Sequence, residues 1–275
     1  MITRLIFFLV FLVMCAVVNP ASGQLIIAHR GASHDAPENT LAAFQLAMEQ
    51  GADGCEADFY LTGDGHVVAL HDADTKRVAG QKLLVKEAPL EQLRSLDVGS
   101  WKAARWKGEK MPTMEEVLAA VPEGKKIFIE LKSGAEIVGP MAKIIAASAL
   151  SPEQIAIISF HADAVAECKK QLPHLKAYWL CRFKKSKDGK RPPTVDEVIA
   201  TLQRTGADAL DAEAVPKRFN EAFINRLREA GYGEFHVWTV DEPRVARFYR
   251  RLGAASITTN RPGWLREQLD APEGE

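Results

Sequence analysis

From Leu25 to Thr258 the chain alternates short runs of β-branched and aromatic residues with longer stretches whose apolar positions recur every three or four residues. The short runs predict strands at Leu25–Ala28, Gly54–Phe59, Ile127–Lys132, Ile155–Ser159, Lys176–Leu180, Ala207–Leu210, Phe235–Thr239 and Ala255–Thr258. The stretches between them predict helices: Leu41, Phe44 and Met48 share one face of the first, and Phe223, Leu227 and Ala230 one face of a later one. Two helix starts carry a capping box, Thr113 with Glu116 and Thr194 with Glu197, each preceded by proline. Gly51, Gly206, Gly231 and Gly253 stand where helices should stop. Eight strands, most followed by a helix, predict a closed (β/α)8 TIM barrel, with an open doubly wound sheet as the second choice.

One run breaks the alternation. Val67–Leu70 follows the second strand too closely for a helical crossover, so it must return antiparallel as a hairpin. Asp64-Gly65 is the dipeptide of a two-residue type I′ turn. That turn would pair Thr62 with Val67 and Asp58 with His71, setting His71 beside Asp58 with Glu56 further along the same face. After the hairpin, residues 73–112 lose the alternation and read as an insertion over the barrel mouth, with a short helix at Leu90–Leu96. The basic stretch Arg182–Pro193 reads as a solvated surface loop.

The segment Met1–Gly23 stands apart. Arg4 precedes an unbroken apolar run from Leu5 to Val18, and Ala21-Ser22-Gly23 offers small residues for cleavage. This is the pattern of an export signal; the run is too short for a stable membrane span, which takes about 20 residues. The expected mature chain is a single domain over residues 24–270, exported to the periplasm or secreted. Lys and Arg number 35 against 36 Asp and Glu, so no basic surplus exists for a nucleic-acid backbone and nucleic acid is not expected as a partner. Cys55, Cys168 and Cys181, widely spaced, make neither a disulfide framework nor a C-x-x-C metal pair, although Cys168 and Cys181 leave room for one bridge.

Chemistry collects where strands end. His29-Arg30-Gly31 follows the first strand, Glu56 and Asp58 lie on the second, His71-Asp72 closes the hairpin, and Glu130 and Lys132 lie on the third. The i,i+2 spacing of Glu56/Asp58 and of Glu130/Lys132 turns each pair to one side of its strand. Three converging carboxylates repel one another unless a cation sits between them, and an all-oxygen set suits Mg2+, Ca2+ or Mn2+ better than zinc. A purely structural network, Glu130 with Lys132 and Asp58 with Arg30, is the bland alternative. Two histidines beside such a site suit paired acid and base work, and Arg30 and Lys132 suit an anionic substrate, which together point to a phosphodiester. His34, His66, His161 and His174 read as structural, and His236 is left open.

The stretches HRGASHDAPENTLAAF (29–44), EADFYLTGDGHVVALHD (56–72), IELKSG (129–134) and VWTVD (237–241) resemble the glycerophosphodiester phosphodiesterase family, and the resemblance runs from Ile26 to about Arg261. It implies a TIM barrel with a small insertion after the hairpin. By position it implies His29 and His71 as the acid–base pair and Glu56, Asp58 and Glu130 as ligands of a divalent cation. It implies Arg30 and Lys132 as substrate-binding cations, Trp238 as an aromatic lining the substrate site, and Glu38 and Asn39 as shapers of the loop before the first helix. The implied activity is hydrolysis of deacylated phospholipids, such as glycerophosphocholine, to glycerol 3-phosphate and an alcohol. The rival readings are a phospholipase-type enzyme on intact lipid, a hydrolase of sugar or inositol phosphodiesters, and an exported protein that binds glycerophosphodiesters without cleaving them.

Overall fold

Eight parallel strands close into a barrel in the structure, a computed structural model that describes residues 23–184, 189 and 191–272. The export signal assigned to Met1–Gly23 lies, but for Gly23, outside the described residues, as do residues 185–188 and 190 of the basic loop. The barrel strands are β1 (Leu25–His29), β2 (Gly54–Leu61), β4 (Lys126–Leu131), β5 (Ile155–Ser159), β6 (Lys176–Cys181), β7 (Ala209–Glu213), β8 (Phe235–Trp238) and β9 (Ser256–Thr259). β3 (Val67–Ala69) lies antiparallel on the outer part of β2. Each barrel strand pairs with the next, and β1 pairs in parallel with both β2 and β9, which closes the ring.

Because successive strand residues face opposite ways, the barrel has two apolar layers. Ile27, Phe128, Ala156, Ile158, Tyr178, Leu180 and Ala209 fill the interior. The alternate positions, among them Ala28, Ala57, Ile129, Ile157 and Val237, face the surrounding helices and join the main core. The helices begin and end where local chemistry dictates. Both capping boxes form, at Thr113/Glu116 and Thr194/Glu197, and Gly51, Gly206, Gly231 and Gly253 all take the left-handed conformation at helix ends.

The hairpin turn differs from the expectation. Leu61 pairs with Val67 and Phe59 with Ala69, one residue out of the anticipated register. The loop is three residues long: Gly65 N–H donates to the Thr62 carbonyl at 3.1 Å, and Gly65 has φ +85°. A type I′ turn needs positive φ at Asp64 as well. Asp64 instead keeps an ordinary backbone, and its carboxylate accepts from Thr62 Oγ1 at 2.6 Å and from the Leu90 N–H at 3.1 Å. A contact from the insertion therefore selects the turn. The slip does not remove His71 from the site, because β3 ends at Ala69 and the chain bends after Leu70 N–H donates to the Asp58 carbonyl.

Residues 73–112 carry their own small core, Val78, Val85, Ala88, Leu93, Leu96, Val98 and Met111, built against Val68 and Leu70 of the hairpin. They lean over the first βα loop: Lys102 Nζ donates to the Ser33 carbonyl and Arg105 to that of Asp35. Cys55, Cys168 and Cys181 are buried free thiols with no bridge between them, and burial pushes the Cys168 and Cys181 thiols up to about 12. Among the described residues no helix is long and apolar enough to cross a membrane.

Candidate active site

Strand register assembles the site at the carboxyl end of the barrel. His29 pairs with Glu56, and Asp58 with Glu130, so four interior side chains from β1, β2 and β4 sit side by side. The carboxylates of Glu56, Asp58 and Glu130 each offer an oxygen within 4.8 Å of the other two, and all three are buried. Lys132 reaches back over them, with Nζ 2.7 Å from Glu130 Oε1 and 3.1 Å from Asp58 Oδ1. Arg30 closes the other side, with Nε 3.0 Å from Asp58 Oδ2 and its backbone N–H on Glu56 Oε2 at 2.9 Å.

The loop after β1 is folded tightly to do this. Arg30 and Asn39 both have φ +57°, and the Asn39 N–H donates to the Arg30 carbonyl at 3.0 Å. Between them Gly31 has φ +79°, and a Cβ there would lie 2.5 Å from the Ala43 carbonyl carbon. Gly31→Ala is therefore expected to cost more than about 2 kcal/mol, from left-handed strain plus a backbone collision, and to lower Tm by more than about 5 °C. Thermal unfolding close to that of the wild type would contradict this.

The two histidines have settled tautomers. Asp241 Oδ2 accepts from Asn260 Nδ2, which leaves Asn260 Oδ1 to face His29 Nδ1 at 2.7 Å and to accept its proton. His29 Nε2 is thus bare, 3.9 Å from Glu56 Oε2. Burial, with Arg30 beside it, lowers the His29 imidazole to about 4, so it is neutral at physiological pH. His71 Nδ1 donates to Asp72 at 2.6 Å, and Arg77 holds Asp72 in place at 2.6 Å. His71 is half-buried, and burial lowers it while Asp58 pulls the other way.

Charge in the cluster does not balance. Against burial, Lys132 and Arg30 hold Asp58 well below the usual carboxylate range. Burial and the charge of Asp58 push Glu130 up to about 7. Glu56, buried beside both other carboxylates, is raised well above its ordinary value. The structural salt network does form, Glu130 with Lys132 and Asp58 with Arg30, but it serves two carboxylates and leaves Glu56 without a side-chain Lys or Arg in ion-pair contact among the described residues. Glu56 Oε1 is fully buried without a hydrogen-bond partner among the described residues. An orphaned carboxylate oxygen facing two other carboxylates is the donor set of a hard divalent cation, and the residues present fit one.

Trp238 ends β8 across the barrel from Glu130, its Nε1 donating to the Asp211 carbonyl at 3.2 Å. His236 lies far down the interior, bonded to Ser256 and Glu234 and stacked on Tyr178, away from the chemistry. Five residues do more at the site than the sequence reading gave them. Asn39 donates to Asp58 Oδ2 at 2.8 Å and so holds a carboxylate as well as shaping the loop. Glu38 bridges Arg30 and Arg77. Asn260 with Asp241 sets His29, and Asp211 adds a fourth buried carboxyl below the mouth. The seventh strand runs to Glu213 rather than stopping at Leu210, which is why Asp211 was passed over.

Asp211 yields a stability prediction. Burial, with Glu130 adding to it, raises its carboxyl well above normal, and Oδ1 has no partner among the described residues. Its contribution to stability is fully present below the unfolded value, about 4, and is lost as pH rises through the folded value. Asp211→Asn carries no such penalty, so in EDTA its gain in Tm over the wild type should be larger at pH 8 than at pH 5. Equal gains, or a loss at pH 8, would refute the assignment.

A model of the glycerophosphoryl diester phosphodiesterase family matches residues 29–264. The glycerophosphodiester phosphodiesterase of Caldanaerobacter subterraneus is 42% identical over 158 residues, 55% of this chain and 64% of that relative. The Bacillus subtilis glycerophosphodiester phosphodiesterase is 29% identical over 254 residues, 86% of this chain and 84% of the relative. Among solved structures, an Oleispira antarctica phosphodiesterase in complex with the product sn-glycerol-3-phosphate superposes with a TM-score of 0.79 at 24% identity, covering 90% of this chain and 97% of that one. At that identity the likeness is one of fold.

Proposed function

The chain belongs to the glycerophosphoryl diester phosphodiesterase family, and from that premise we propose that it hydrolyses glycerophosphodiesters to glycerol 3-phosphate and an alcohol, using His29 and His71 and a divalent cation held by Glu56, Asp58 and Glu130. The observation that carries this reading is the pairing of a charge-deficient carboxylate cluster with two histidines whose Nδ1 protons are both committed, so that each presents Nε2 for proton transfer. The Oleispira relative, solved with glycerol 3-phosphate, supports the choice of product.

Arg30 and Lys132 draw the phosphate to the mouth. The cation would supply charge stabilisation at the phosphate and acidify a nearby hydroxyl. His29, neutral and with Nε2 bare, takes the proton of the attacking oxygen, which in this proposal is the substrate's own glycerol hydroxyl. His71, lowered by burial but steadied by the Asp72 carboxylate on Nδ1, gives a proton through Nε2 to the departing alcohol. The glycerol oxygen bonds to phosphorus as the bond to the departing alcohol breaks, leaving a cyclic phosphate that water opens with the two roles reversed.

The test is glycerol 3-phosphate release from glycerophosphocholine by the protein lacking Met1–Gly23, with Mg2+, Ca2+, Mn2+ or EDTA. Release that EDTA abolishes and one cation restores supports the proposal. Binding without turnover at every cation would favour the binding-protein reading. We also propose that the chain is exported, from the apolar run within Met1–Gly23; N-terminal sequencing of protein recovered outside the cytoplasm should begin at Gln24.

A further inference from the structure

The wall of the mouth facing His29 carries a feature that the proposed chemistry leaves unused. Around the closed ring β6 stands four strands from β1, directly opposite it. Tyr178 and Leu180 of β6 point into the barrel, and Arg182, one step past the end of the strand, continues on that face. Its guanidinium lies 4.7 Å from the centroid of the Phe160 ring, and Phe160 in turn meets Trp238 edge-on at 5.4 Å. Arg182 is exposed, and among the described residues no carboxylate comes within ion-pair distance of it.

The acidic groups nearby are already spoken for. Glu213 accepts from the Phe183 and Lys184 N–H groups at 2.9 and 2.8 Å and meets Lys184 Nζ at 3.2 Å. Asp241 accepts from Thr259 Oγ1, Asn260 N–H and Asn260 Nδ2. Among the described residues, Arg182 thus brings this wall a positive charge that no carboxylate offsets. It also covers Phe160, an aromatic surface that would otherwise attract a quaternary ammonium group.

In phosphoryl transfer the attacking and departing oxygens lie roughly in line on opposite sides of phosphorus. With His29 at the attacking oxygen and His71 at the departing one, the rest of the departing alcohol runs across the open mouth, where Arg182 and Trp238 stand at the ends of β6 and β8. We propose that Arg182 sets the leaving-group preference of this site, favouring glycerophosphodiesters whose alcohol carries negative charge, such as a second phosphate, over those whose alcohol is a quaternary ammonium. The inference rests on the phosphodiesterase reading above.

It is tested with three substrates: bis(glycerophospho)glycerol, whose departing alcohol bears a phosphate, glycerophosphoglycerol, whose departing alcohol is neutral, and glycerophosphocholine. The readout is the ratio of kcat/KM for the first to that for the last. One charge acting across about 6 Å at a solvent-like dielectric changes each rate roughly threefold. The ratio should therefore fall roughly tenfold in Arg182→Ala and roughly a hundredfold in Arg182→Glu, and 0.5 M salt should compress it in the wild type. Arg182→Gln serves as a second neutral variant, with far-ultraviolet circular dichroism confirming that each protein is folded. A ratio unchanged within twofold in the folded variants overturns the role of Arg182 while leaving the phosphodiesterase reading intact. Failure of the wild type on all three substrates overturns that reading, and this inference with it.

Discussion

Alanine at His29 or at His71 should each lower kcat for glycerophosphodiester hydrolysis by about 10²- to 10⁴-fold, the range ordinarily removed with a positioned acid or base. Each residue has a fixed donor nitrogen and a free one, His29 through Asn260 and His71 through Asp72, so neither is a surface histidine whose loss would pass unnoticed. The His29→Ala,His71→Ala double variant should be little worse than the poorer single variant, since acid and base act in the same step and their losses do not add. Neither substitution touches the main apolar core, so thermal unfolding should stay close to the wild type and separate chemistry from folding. Retention of near-normal kcat in both single variants would end the acid–base assignment.

The second large effect concerns the cation. Adding Mg2+, Ca2+ or Mn2+ at about a hundredfold over Kd should stabilise the fold by about 2.7 kcal/mol, because only the folded chain gathers Glu56, Asp58 and Glu130 into one site. For a chain of this size that is a rise of about 5–10 °C in Tm. Glu56→Gln should lose most of this rise and most of the activity. In EDTA, however, the same variant should melt at or above the wild-type temperature, since an amide relieves the crowding of three buried carboxylates. A purely structural salt network, from which Glu56 stands apart, predicts no response to cations and no cation-dependent difference between Glu56→Gln and the wild type. Differential scanning calorimetry with and without the ion distinguishes the two.

Most of the barrel was legible in sequence because strands buried on both faces read as short apolar runs, and a one-residue error at an end leaves the run recognisable. The polar cluster at the strand ends was legible for the same reason: Glu56, Asp58, Glu130 and Lys132 interrupt such runs with polar side chains at spacing two. The seventh strand shows the limit. Asp211 and Glu213 interrupt it just as Glu56 and Asp58 interrupt β2, yet with only Ala207–Leu210 before them they read as the start of a loop. Asn260 and Asp241 act across 231 and 19 residues of chain on His29 and Asn260, and no local pattern encodes contacts at that separation. The hairpin register was missed because the two-residue turn signal of Asp64-Gly65 is overridden by a hydrogen bond from Leu90, which belongs to a different element.

The seam between β1 and β9 has a consequence for when activity can exist. His29 comes from the first strand of the barrel and Asn260 follows the last, so the imidazole is set only once the two ends of the chain meet. During synthesis or refolding, every species that lacks the final strand has an unoriented His29 imidazole, however complete its secondary structure. Regain of turnover in a refolding experiment should therefore lag the far-ultraviolet signal and keep pace with closure of the ring, so that the catalyst serves as its own reporter of the last step of folding.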